Sequence, residues 1–557
     1  MTPACKQHQS VFPGKNDRTY WLLVALLFVG GALARLSLPL TPFSDPDVMG
    51  YLKPSLIQAT TGVFTHVGGR NFLYPSFVSC VLQVTGSFNA ISLIQHSLGL
   101  LAAGLMMAVW HQMVCFFPLS PTSRIVHRVL GLAILTSFLF TRTSYLMEHS
   151  IRPEAVFPFF TVAAVFLACR YFIALRERRG AGIIFALGCA IVYNAFIVYS
   201  LKPAFGLAVG VAILPVLISL RLLKWPFAGK AALLAAPLYL VAVTLWLPEK
   251  KLIEAYDKGS DSFLPELLIA FHANIIRNEM DAELHGRAQC PFDKELVKTS
   301  LALIDQELQH PGARYRASLG FDADNLIYKH SLVEALKAYY KTDGCGFNQF
   351  CMHYYLAAWK HQPGKMITKV GRQMWNFWGG QFGAFDNQGG LPILVNERAA
   401  RSLECLDWVD QPCPSFDHYL AANRTLLTSK QEWKQHLFMR LLHGFFNNAY
   451  FPLFLLTTAG AIGLAWKRPR QWAKANQLDR AILWTAYLFL FSFGNCLTVA
   501  IIHTTQVSRY TKNQLIFTLL AEASAILLVS ILVEKWRERR AQSLSAPAIP
   551  CHPDADI

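Results

Sequence analysis

Two aspartates, Asp45 and Asp47, lie two residues apart just after a long apolar run. A carboxylate placed there can act as a general base toward a hydroxyl group, and two carboxylates can share a divalent metal ion. Tyr51 follows four residues after Asp47 and adds a hydroxyl group to the same segment. The alternative is structural, because Ser44 or Asp45 can cap a helix that begins at Pro46. The residues alone leave both interpretations open.

Three cations that suit a phosphate group lie on later segments of the chain. An arginine donates two hydrogen bonds to a phosphate through its planar guanidinium group, and a lysine supplies a point charge. These side chains can therefore line one site for an anionic ligand. Snorkelling of each side chain toward the membrane surface is the alternative. The three are Arg70 in the run Gly69-Arg-Asn-Phe-Leu-Tyr-Pro75, Lys202 in the turn Leu201-Lys-Pro203, and Arg509 before Tyr510.

Two acids and one arginine crowd the short segment from Glu148 to Glu154. In the structural interpretation, Arg152 forms a salt bridge with one of the two glutamates. In the functional interpretation, a glutamate is a further carboxylate that faces the aspartate pair across a helix bundle. The segment is expected to be a tight loop between two apolar runs, and both interpretations stay open.

Membrane helices are the elements that must position these residues. Of the 557 residues, 53% are hydrophobic and only 15% are charged, whereas soluble domains have roughly 25% charged residues. The 13% aromatic content and the low charge density exclude a disordered chain. The net charge of +16 falls in short segments between apolar runs, and no basic stripe with stacking aromatics accompanies it, so nucleic acid is excluded as a partner. The chain also lacks the P-loop, HExxH and CxxCH motifs of ATP, zinc-protease and haem chemistry.

Ten apolar runs have, or nearly have, the length of about 20 residues that a membrane-crossing helix needs. Phe72–Val84 is too short to cross, and we expect it to lie at the interface or to extend the second helix. With ten crossings, the loops rich in lysine and arginine and both chain ends fall on one side, which is cytosolic by the positive-inside rule. The runs are Tyr20–Leu40, Ile91–Phe116, Val129–Tyr145, Ala155–Leu175, Ala181–Tyr199, Ala204–Leu220, Ala231–Leu247, Tyr450–Trp466, Ala481–Ile502 and Leu515–Val533.

The expected fold is an α-helical polytopic membrane protein with about ten transmembrane helices and a mainly α extracytoplasmic domain. Residues 1–247 are expected to form an N-terminal module of about seven helices, whose outer loops carry the candidate acids and most of the cations. Residues 248–440 form the extracytoplasmic domain, 441–534 supply about three further helices, and 535–557 are a cytosolic tail. In an oxidising compartment, the spacing allows Cys345 to pair with Cys351 and Cys405 with Cys413, which leaves Cys290 free.

The order of these motifs resembles that of the GT-C superfamily of membrane glycosyltransferases, which includes the lipid A aminoarabinose transferases and the protein O-mannosyltransferases. The resemblance covers the membrane part, roughly Tyr20 to Leu247 and Tyr450 to Val533. It rests on Asp-x-x-Gly-Tyr after the first helix (Asp47–Tyr51), Gly-Arg followed by Tyr-Pro (Gly69, Arg70, Tyr74, Pro75), an acid at the start of the fourth helix (Glu154), a basic-Pro turn (Lys202, Pro203) and Arg-Tyr before a late helix (Arg509, Tyr510).

The resemblance implies an inverting transfer of a sugar from a polyprenyl-phosphate donor to the hydroxyl group of a glycolipid, polysaccharide or protein acceptor. It also implies that the site lies on the extracytoplasmic side of a plasma membrane, the inner membrane of a bacterium, in contact with membrane lipids. Several members have an Asp-Glu pair where this chain has Asp-Pro-Asp. The resemblance therefore leaves open which of the two aspartates is the general base. By position, the resemblance implies that Asp47 is the general base, and that Asp45 and Glu154 assist it or, together with Asp47, bind a divalent cation (Mg, Mn or Ca). It implies that the leaving phosphate is bound by Arg70, Lys202 and Arg509. The residues implied to bind substrate are Tyr51, Tyr74, Glu148 and Tyr510.

Two other functions compete with this one. A transporter or flippase of a lipid-linked glycan would carry its charged residues along a path near the middle of the membrane, and the chain has no clear inverted repeat of the kind that many transporters contain. An O-antigen ligase-like enzyme would instead use arginine and histidine residues of the large outer loop. Arg277, Arg314 and His272 are the examples in this chain.

Overall fold

Ten helices in the described part of the chain are long and apolar enough to cross a membrane. The computed structural model describes residues 15–256, 263–328, 331–341, 343–378, 385, 392–406, 413–467, 476–505, 510 and 512–545. Each of the ten predicted runs overlaps one of these helices, so the helical polytopic architecture is confirmed. The ten are Arg18–Leu36, Phe88–Phe116, Pro121–Leu139, Phe157–Arg176, Ala181–Leu201, Pro203–Leu222, Phe227–Tyr256, Leu437–Trp466, Gln477–Ile502 and Leu515–Ser543.

The helices up to residue 256 form most of the bundle. Short 3-10 turns and one π-helical turn, Ala242–Trp246, join some of them. The α-helices are α1 Lys15–Leu36, α2 Met49–Thr61, α3 Leu73–Thr85, α4 Phe88–Gln112, α5 Pro121–Leu139, α6 Arg142–Glu148, α7 Phe157–Arg176, α8 Ala181–Leu201, α9 Gly206–Leu222, α10 Phe227–Val241 and α11 Leu247–Tyr256.

The third crossing differs from its prediction. The predicted run started at Val129, but α5 starts two turns earlier at Pro121, where Ser120 caps the helix by accepting a hydrogen bond from the Ser123 amide. A serine before a proline is a strong helix start and outweighs the charged residues that follow it. The chain leaves the helix at Phe140, and the separate short helix α6 replaces the predicted end of the run.

The segment after α11 is helical, with one short antiparallel strand pair. Its first part, residues 263–366, builds a core of its own, in which Phe271, Ile276, Phe350 and Tyr354 are buried. Its helices α14 and α17 each bury one face, which carries Val297 and Ile304 on α14 and Leu332 and Leu336 on α17. The elements are α12 Leu264–Ala270, α13 Ala273–Leu284, α14 Lys294–Gln309, α15 Arg316–Leu319, α16 Ala323–Tyr328, α17 Leu332–Tyr340, α18 Gly344–His361, α19 Pro363–Trp378, β1 Ile393–Leu394, α20 Val395–Leu406, α21 Pro414–Leu426 and β2 Glu432–Trp433.

The second part of this segment packs on the bundle instead. Phe377 of α19, Leu406 of α20 and Phe416 and Tyr419 of α21 belong to the same buried core as the membrane helices. The ring of Tyr419 stacks on that of Phe88 at the start of α4, with centroids 4.3 Å apart. The chain then returns to the bundle through α22 Leu437–Lys467, α23 Gln477–Ile502 and α24 Leu515–Ser545.

Neither of the local cysteine pairings forms, because Cys345, Cys351, Cys405 and Cys413 are all free thiols. Cys345 and Cys351 lie on the single helix α18, the first exposed and the second buried. Six residues along an α-helix correspond to a rise of about 9 Å, which a disulfide cannot bridge.

Candidate active site

The aspartate pair is held by an arginine from a distant loop. Arg152 Nε lies 2.6 Å from Asp45 Oδ2, and Arg152 Nη2 donates to Asp47 Oδ2 at 2.9 Å. The two loops are brought together by backbone hydrogen bonds, from the Phe43 amide to the His149 carbonyl and from the Ile151 amide to the Phe43 carbonyl. Arg152 therefore binds both aspartates, which are partners that its own sequence neighbourhood did not suggest.

The local structure of the pair also differs from a helix cap. The Asp47 amide donates to Asp45 Oδ1 at 2.9 Å, so the two residues form a tight turn. Helix α2 begins only at Met49, and no side chain caps it. Ser44, the other predicted cap, uses its hydroxyl group on Tyr419 instead. The turn leaves the Asp47 side chain 27% exposed at the end of the bundle.

Arg70 lies against the same aspartate from the other side. Its Nη2 donates to Asp47 Oδ1 at 3.0 Å, and its Nη1 donates to the Tyr51 hydroxyl at 3.2 Å. The guanidinium also lies over the rings of Tyr51 and Phe263, 4.9 and 5.1 Å from their centroids. Gly69, with φ +77°, turns the chain here, and a Cβ atom at this position would overlap the ring of Phe263. The structure thus brings together Arg70, Tyr51 and Asp47.

Glu154 and Lys202 form a second, more buried pair. Lys202 Nζ donates to Glu154 Oε1 at 2.7 Å, and only 7% of the lysine side chain and 6% of the glutamate side chain is exposed. The Lys202 ammonium lies 4.9 Å from the ring centroid of Tyr510. Lys202 therefore lies beside two predicted site residues. Arg509, the third predicted phosphate ligand, lies outside the described residues.

Electrostatics link the two pairs into one site. Burial raises the pKa of Asp45, the Arg152 guanidinium opposes this rise, and the charges of Asp47 and Glu154 add to it. Burial likewise raises the pKa of Tyr51. The charge of Arg70 opposes this rise, and the charges of Glu154 and Asp47 add to it. Asp45 and Glu154 are therefore close enough for their charges to interact.

Tyr74 lies beneath this site rather than in it. Its hydroxyl group donates to Gln95 Oε1 at 2.8 Å, its ring meets that of Tyr51 edge-on at 5.5 Å, and it is 2% exposed. Gln95 in turn donates to the Glu148 and Ser150 carbonyls. Tyr74 thus supports Tyr51 and the loop that carries Arg152.

Glu148 is occupied by other partners. Arg35 Nε and Nη2 donate to its two carboxylate oxygens at 2.7 and 2.8 Å, and His96 Nδ1 lies 2.8 Å from Oε2. Gly99 on α4 makes room for this carboxylate, since a Cβ atom there would lie 2.2 Å from Oε1. Only 3% of the Glu148 side chain is exposed, so its carboxylate does not face a solvent-accessible site.

The segment after α11 also reaches the site. The Ser44 amide donates to Ser402 Oγ of α20 at 2.8 Å, and Tyr419 of α21 donates to the Pro42 carbonyl at 2.7 Å. These bonds seat α20 and α21 beside the aspartate loop.

The three residues suggested by the ligase-like alternative have partners other than the aspartate pair. Arg277 pairs with Asp305, and Arg314 pairs with Asp324. His272 is buried, and its Nδ1 lies 2.9 Å from the carbonyl oxygen of Leu268. The contacts do not bring these three side chains to the aspartate pair.

The donor set for a metal ion is already engaged. Arg152 spans both aspartates, and Lys202 holds Glu154. Among the residues that the structure describes, no three His, Cys, Asp or Glu side chains are arranged to hold a metal ion. The arrangement does not fit a preformed metal centre, and the divalent cation stays a prediction.

Two features escaped the sequence analysis. The first is the contact of Arg152 with the aspartates, because distance along the chain hides the meeting of the two outer loops. The second is Glu522, which lies fully buried within α24, and neither of its carboxylate oxygens has a hydrogen-bond partner among the described residues. The sequence does contain a signal for Glu522, because it is the one acid within the predicted apolar run Leu515–Val533, and an acid inside a membrane-crossing helix is costly to bury.

Comparisons with protein-family models, with curated proteins and with solved structures give no match for this chain.

Proposed function

We propose that the chain is an inverting glycosyltransferase of the GT-C type, which moves a sugar from a polyprenyl-phosphate-linked donor to an acceptor hydroxyl group. The acceptor is a glycolipid, a polysaccharide or a protein on the extracytoplasmic side. One observation carries the proposal: acids and cations from four separate loops converge at one end of the helix bundle. Sugar transfer from a lipid phosphate needs both, a base for the acceptor and positive charge for the leaving group.

Asp47 is the proposed general base. Its side chain is the more exposed of the two aspartates, at 27% against 22% for Asp45, and it stands between two arginines. It takes the proton of the acceptor hydroxyl group while the acceptor oxygen bonds to the anomeric carbon. The bond between that carbon and the phosphate oxygen breaks, and its electron pair leaves with the polyprenyl phosphate.

Arg70 is proposed to bind the leaving phosphate. Its two terminal nitrogens donate to Asp47 and to the Tyr51 hydroxyl group, so the fork is oriented before any substrate arrives. A phosphate that takes over the Nη2 bond would free one oxygen of Asp47 for the acceptor proton. Substrate binding and activation of the base are thereby coupled through a single hydrogen bond.

Lys202 supplies a further positive charge beside Tyr510. Because Lys202 and Glu154 are both nearly buried, their attraction is weakly screened and keeps the ammonium fixed. A fixed cation stabilises the charge that develops on the phosphate without a cost of reorganisation. Arg509 directly precedes Tyr510 in the sequence, and we keep it as a third phosphate ligand.

The membrane placement is part of the proposal. By the positive-inside rule, the helix ends that carry Arg124, Arg176, Arg221 and Lys535 are cytosolic. The alternation of the crossings then puts the aspartate pair, which follows the end of α1, on the extracytoplasmic side. A polyprenyl chain can lie in the bilayer there with its phosphate at the surface.

The test is a comparison of glycans and glycolipids by mass spectrometry in a strain that lacks the gene. The strain is rescued with the wild-type protein, with Asp47→Asn, or with Glu177→Gln as a matched control. Glu177 is an acid at the other end of the bundle that pairs only with Arg179 among the described residues. All three proteins must be present in equal amounts in the membrane.

We expect the deletion and Asp47→Asn to lose the same sugar-sized mass, and Glu177→Gln to restore it. Loss of a general base lowers the rate by about 10²–10⁴-fold, which is enough to empty the product pool. Full restoration by Asp47→Asn would contradict the assignment of the base and the proposed function with it.

A further inference from the structure

A large cavity lies at the end of the bundle opposite the aspartate pair. Its volume is about 730 Å³, within the range of roughly 300–1,000 Å³ that is typical of small-ligand sites. The N-terminal parts of α1, α5 and α23 and the C-terminal parts of α4 and α24 line it. The other end of α1 leads to the aspartate pair. A helix of 20 residues is about 30 Å long, so the cavity takes no part in the chemistry proposed above.

Cations from two helices line this cavity. Arg124 and Arg128 lie one turn apart on α5, and Lys535 comes from α24. Neither Arg124 nor Lys535 has an acidic partner among the described residues. Two arginines at this spacing share one helix face, and together with a lysine from a second helix they suit a phosphate group.

Acids line the same cavity, which argues against a ligand of purely negative charge. Glu534 accepts hydrogen bonds from Ser120 Oγ at 2.6 Å and from Ser123 Oγ at 2.5 Å. Glu538 lies one turn further along α24 and is exposed. A ligand that carries a phosphate and an ammonium group matches cations and acids together.

Aromatic and apolar side chains complete the surroundings that a lipid needs. Tyr20 and Trp21 of α1 line the cavity, and the Tyr20 hydroxyl lies 3.1 Å from His111 Nε2. Tyrosine and tryptophan are enriched at the membrane–water interface, and their rings attract ammonium groups. On α5, Ile125 and Val129 directly follow the two arginines and are 62% and 60% exposed, which provides an apolar flank for acyl chains.

We propose that this cavity binds the headgroup of a membrane phospholipid that carries both a phosphate diester and an ammonium group. Arg124, Arg128 and Lys535 bind the phosphate, and the ammonium group lies toward Glu538 and the aromatic pair. This second site is independent of the proposed transferase activity.

Native mass spectrometry of the full chain in detergent tests the proposal. The protein is titrated with phosphatidylethanolamine and with phosphatidylglycerol of the same acyl chains, and separately with inorganic phosphate. The test variant is Arg124→Gln with Lys535→Gln. The control is Arg221→Gln with Lys224→Gln, which removes two cations at the same end of the bundle but outside the cavity.

We expect the wild-type chain to bind phosphatidylethanolamine more tightly than phosphatidylglycerol. The test variant should bind phosphatidylethanolamine at least tenfold more weakly, and the control should bind it unchanged. Glu538→Gln, a change of an exposed side chain, should reduce the preference for phosphatidylethanolamine and gives a second readout if the double variant does not fold. Equal losses in test and control variants, equal or tighter binding of phosphatidylglycerol, or competition by inorganic phosphate at the lipid's concentration would each overturn the proposal.

Discussion

Two clusters of acids and arginines lie at the same end of the bundle and differ in how much of their side chains is exposed to solvent. We call the buried one the closed cluster and the partly exposed one the open cluster. Glu148 and Arg35 are 3% and 1% exposed, and Arg35 also donates to the Gly31 and Leu139 carbonyls. Asp45 and Asp47 keep 22% and 27% of their side chains exposed and share Arg152. The first cluster has its charges compensated within the fold and no room for a ligand. The second is partly exposed to solvent, and the proposed function requires its arginines to exchange an aspartate for a substrate phosphate.

Breaking the closed cluster should have the largest effect on stability. Arg35→Met removes the cation and leaves His96 as the partner of the buried Glu148 carboxylate among the described residues. Loss of one partner of a buried ion pair costs about 3–5 kcal/mol, because the remaining charge is uncompensated. We expect the variant to unfold at a clearly lower temperature in a thermal melt in detergent, or to fail to accumulate.

The matched change in the open cluster is Asp47→Asn. Because its side chain is partly solvated, we expect its melting temperature to stay close to that of the wild-type chain. An Arg35→Met protein as stable as Asp47→Asn would show that burial does not distinguish the two clusters.

In the open cluster, a change of geometry without a change of charge sharpens the comparison. Arg70→Lys keeps one positive charge but cannot donate to Asp47 and Tyr51 from a planar fork. We expect sugar transfer from a polyprenyl-phosphate donor to fall by about 10–100-fold, mainly in kcat, since the phosphate gains charge in the transition state. Lys53→Arg, the reverse exchange at an exposed position on α2, should leave the rate unchanged. A fall confined to KM would assign Arg70 to ground-state binding alone.

The sequence was a good guide to the bundle and a poor one to the partners of the charges. Long apolar runs predict crossings well, because length and hydropathy are local properties. The partner of Arg152 is not local: Asp45 is 107 residues away, and the backbone pairing of Phe43 with residues 149 and 151 brings the two together. Glu148 and Glu154 look equivalent in sequence, yet Arg35 binds one and Lys202 the other. Which acids stay open is decided by packing.

Lys369 extends the comparison to a buried cation that has no acidic partner among the described residues. It lies on α19, and its Nζ donates to the Ala500 and His503 carbonyls at 2.7 Å each, at the end of α23. Burial lowers the pKa of Lys369 to about 7. The unfolded chain therefore binds one more proton than the folded chain between pH 7 and the ordinary lysine value near 10.5. Stability should rise with pH in that window, by up to about 1.4 kcal/mol per pH unit, and stay level below it.

Melting temperatures measured from pH 7 to about pH 9.5 test this prediction, since that range lies inside the window. Lys369→Met should flatten the profile, and Lys365→Met, an exposed lysine on the same helix, should keep the wild-type slope. A profile that keeps its slope in Lys369→Met would mean that another group produces it.

Glu522 is the limiting case, a closed acid with no hydrogen-bond partner among the described residues. Its two oxygens accept no hydrogen bond, and the side chain is fully buried in α24. Glu522→Gln keeps the shape, removes the capacity to carry charge and breaks no contact, so we expect a change in stability of about 1 kcal/mol or less and unchanged sugar transfer. Intramembrane acids are often retained for function, however, because they are costly to bury. A stable Glu522→Gln protein that has lost sugar transfer would therefore show that this buried acid has a functional role.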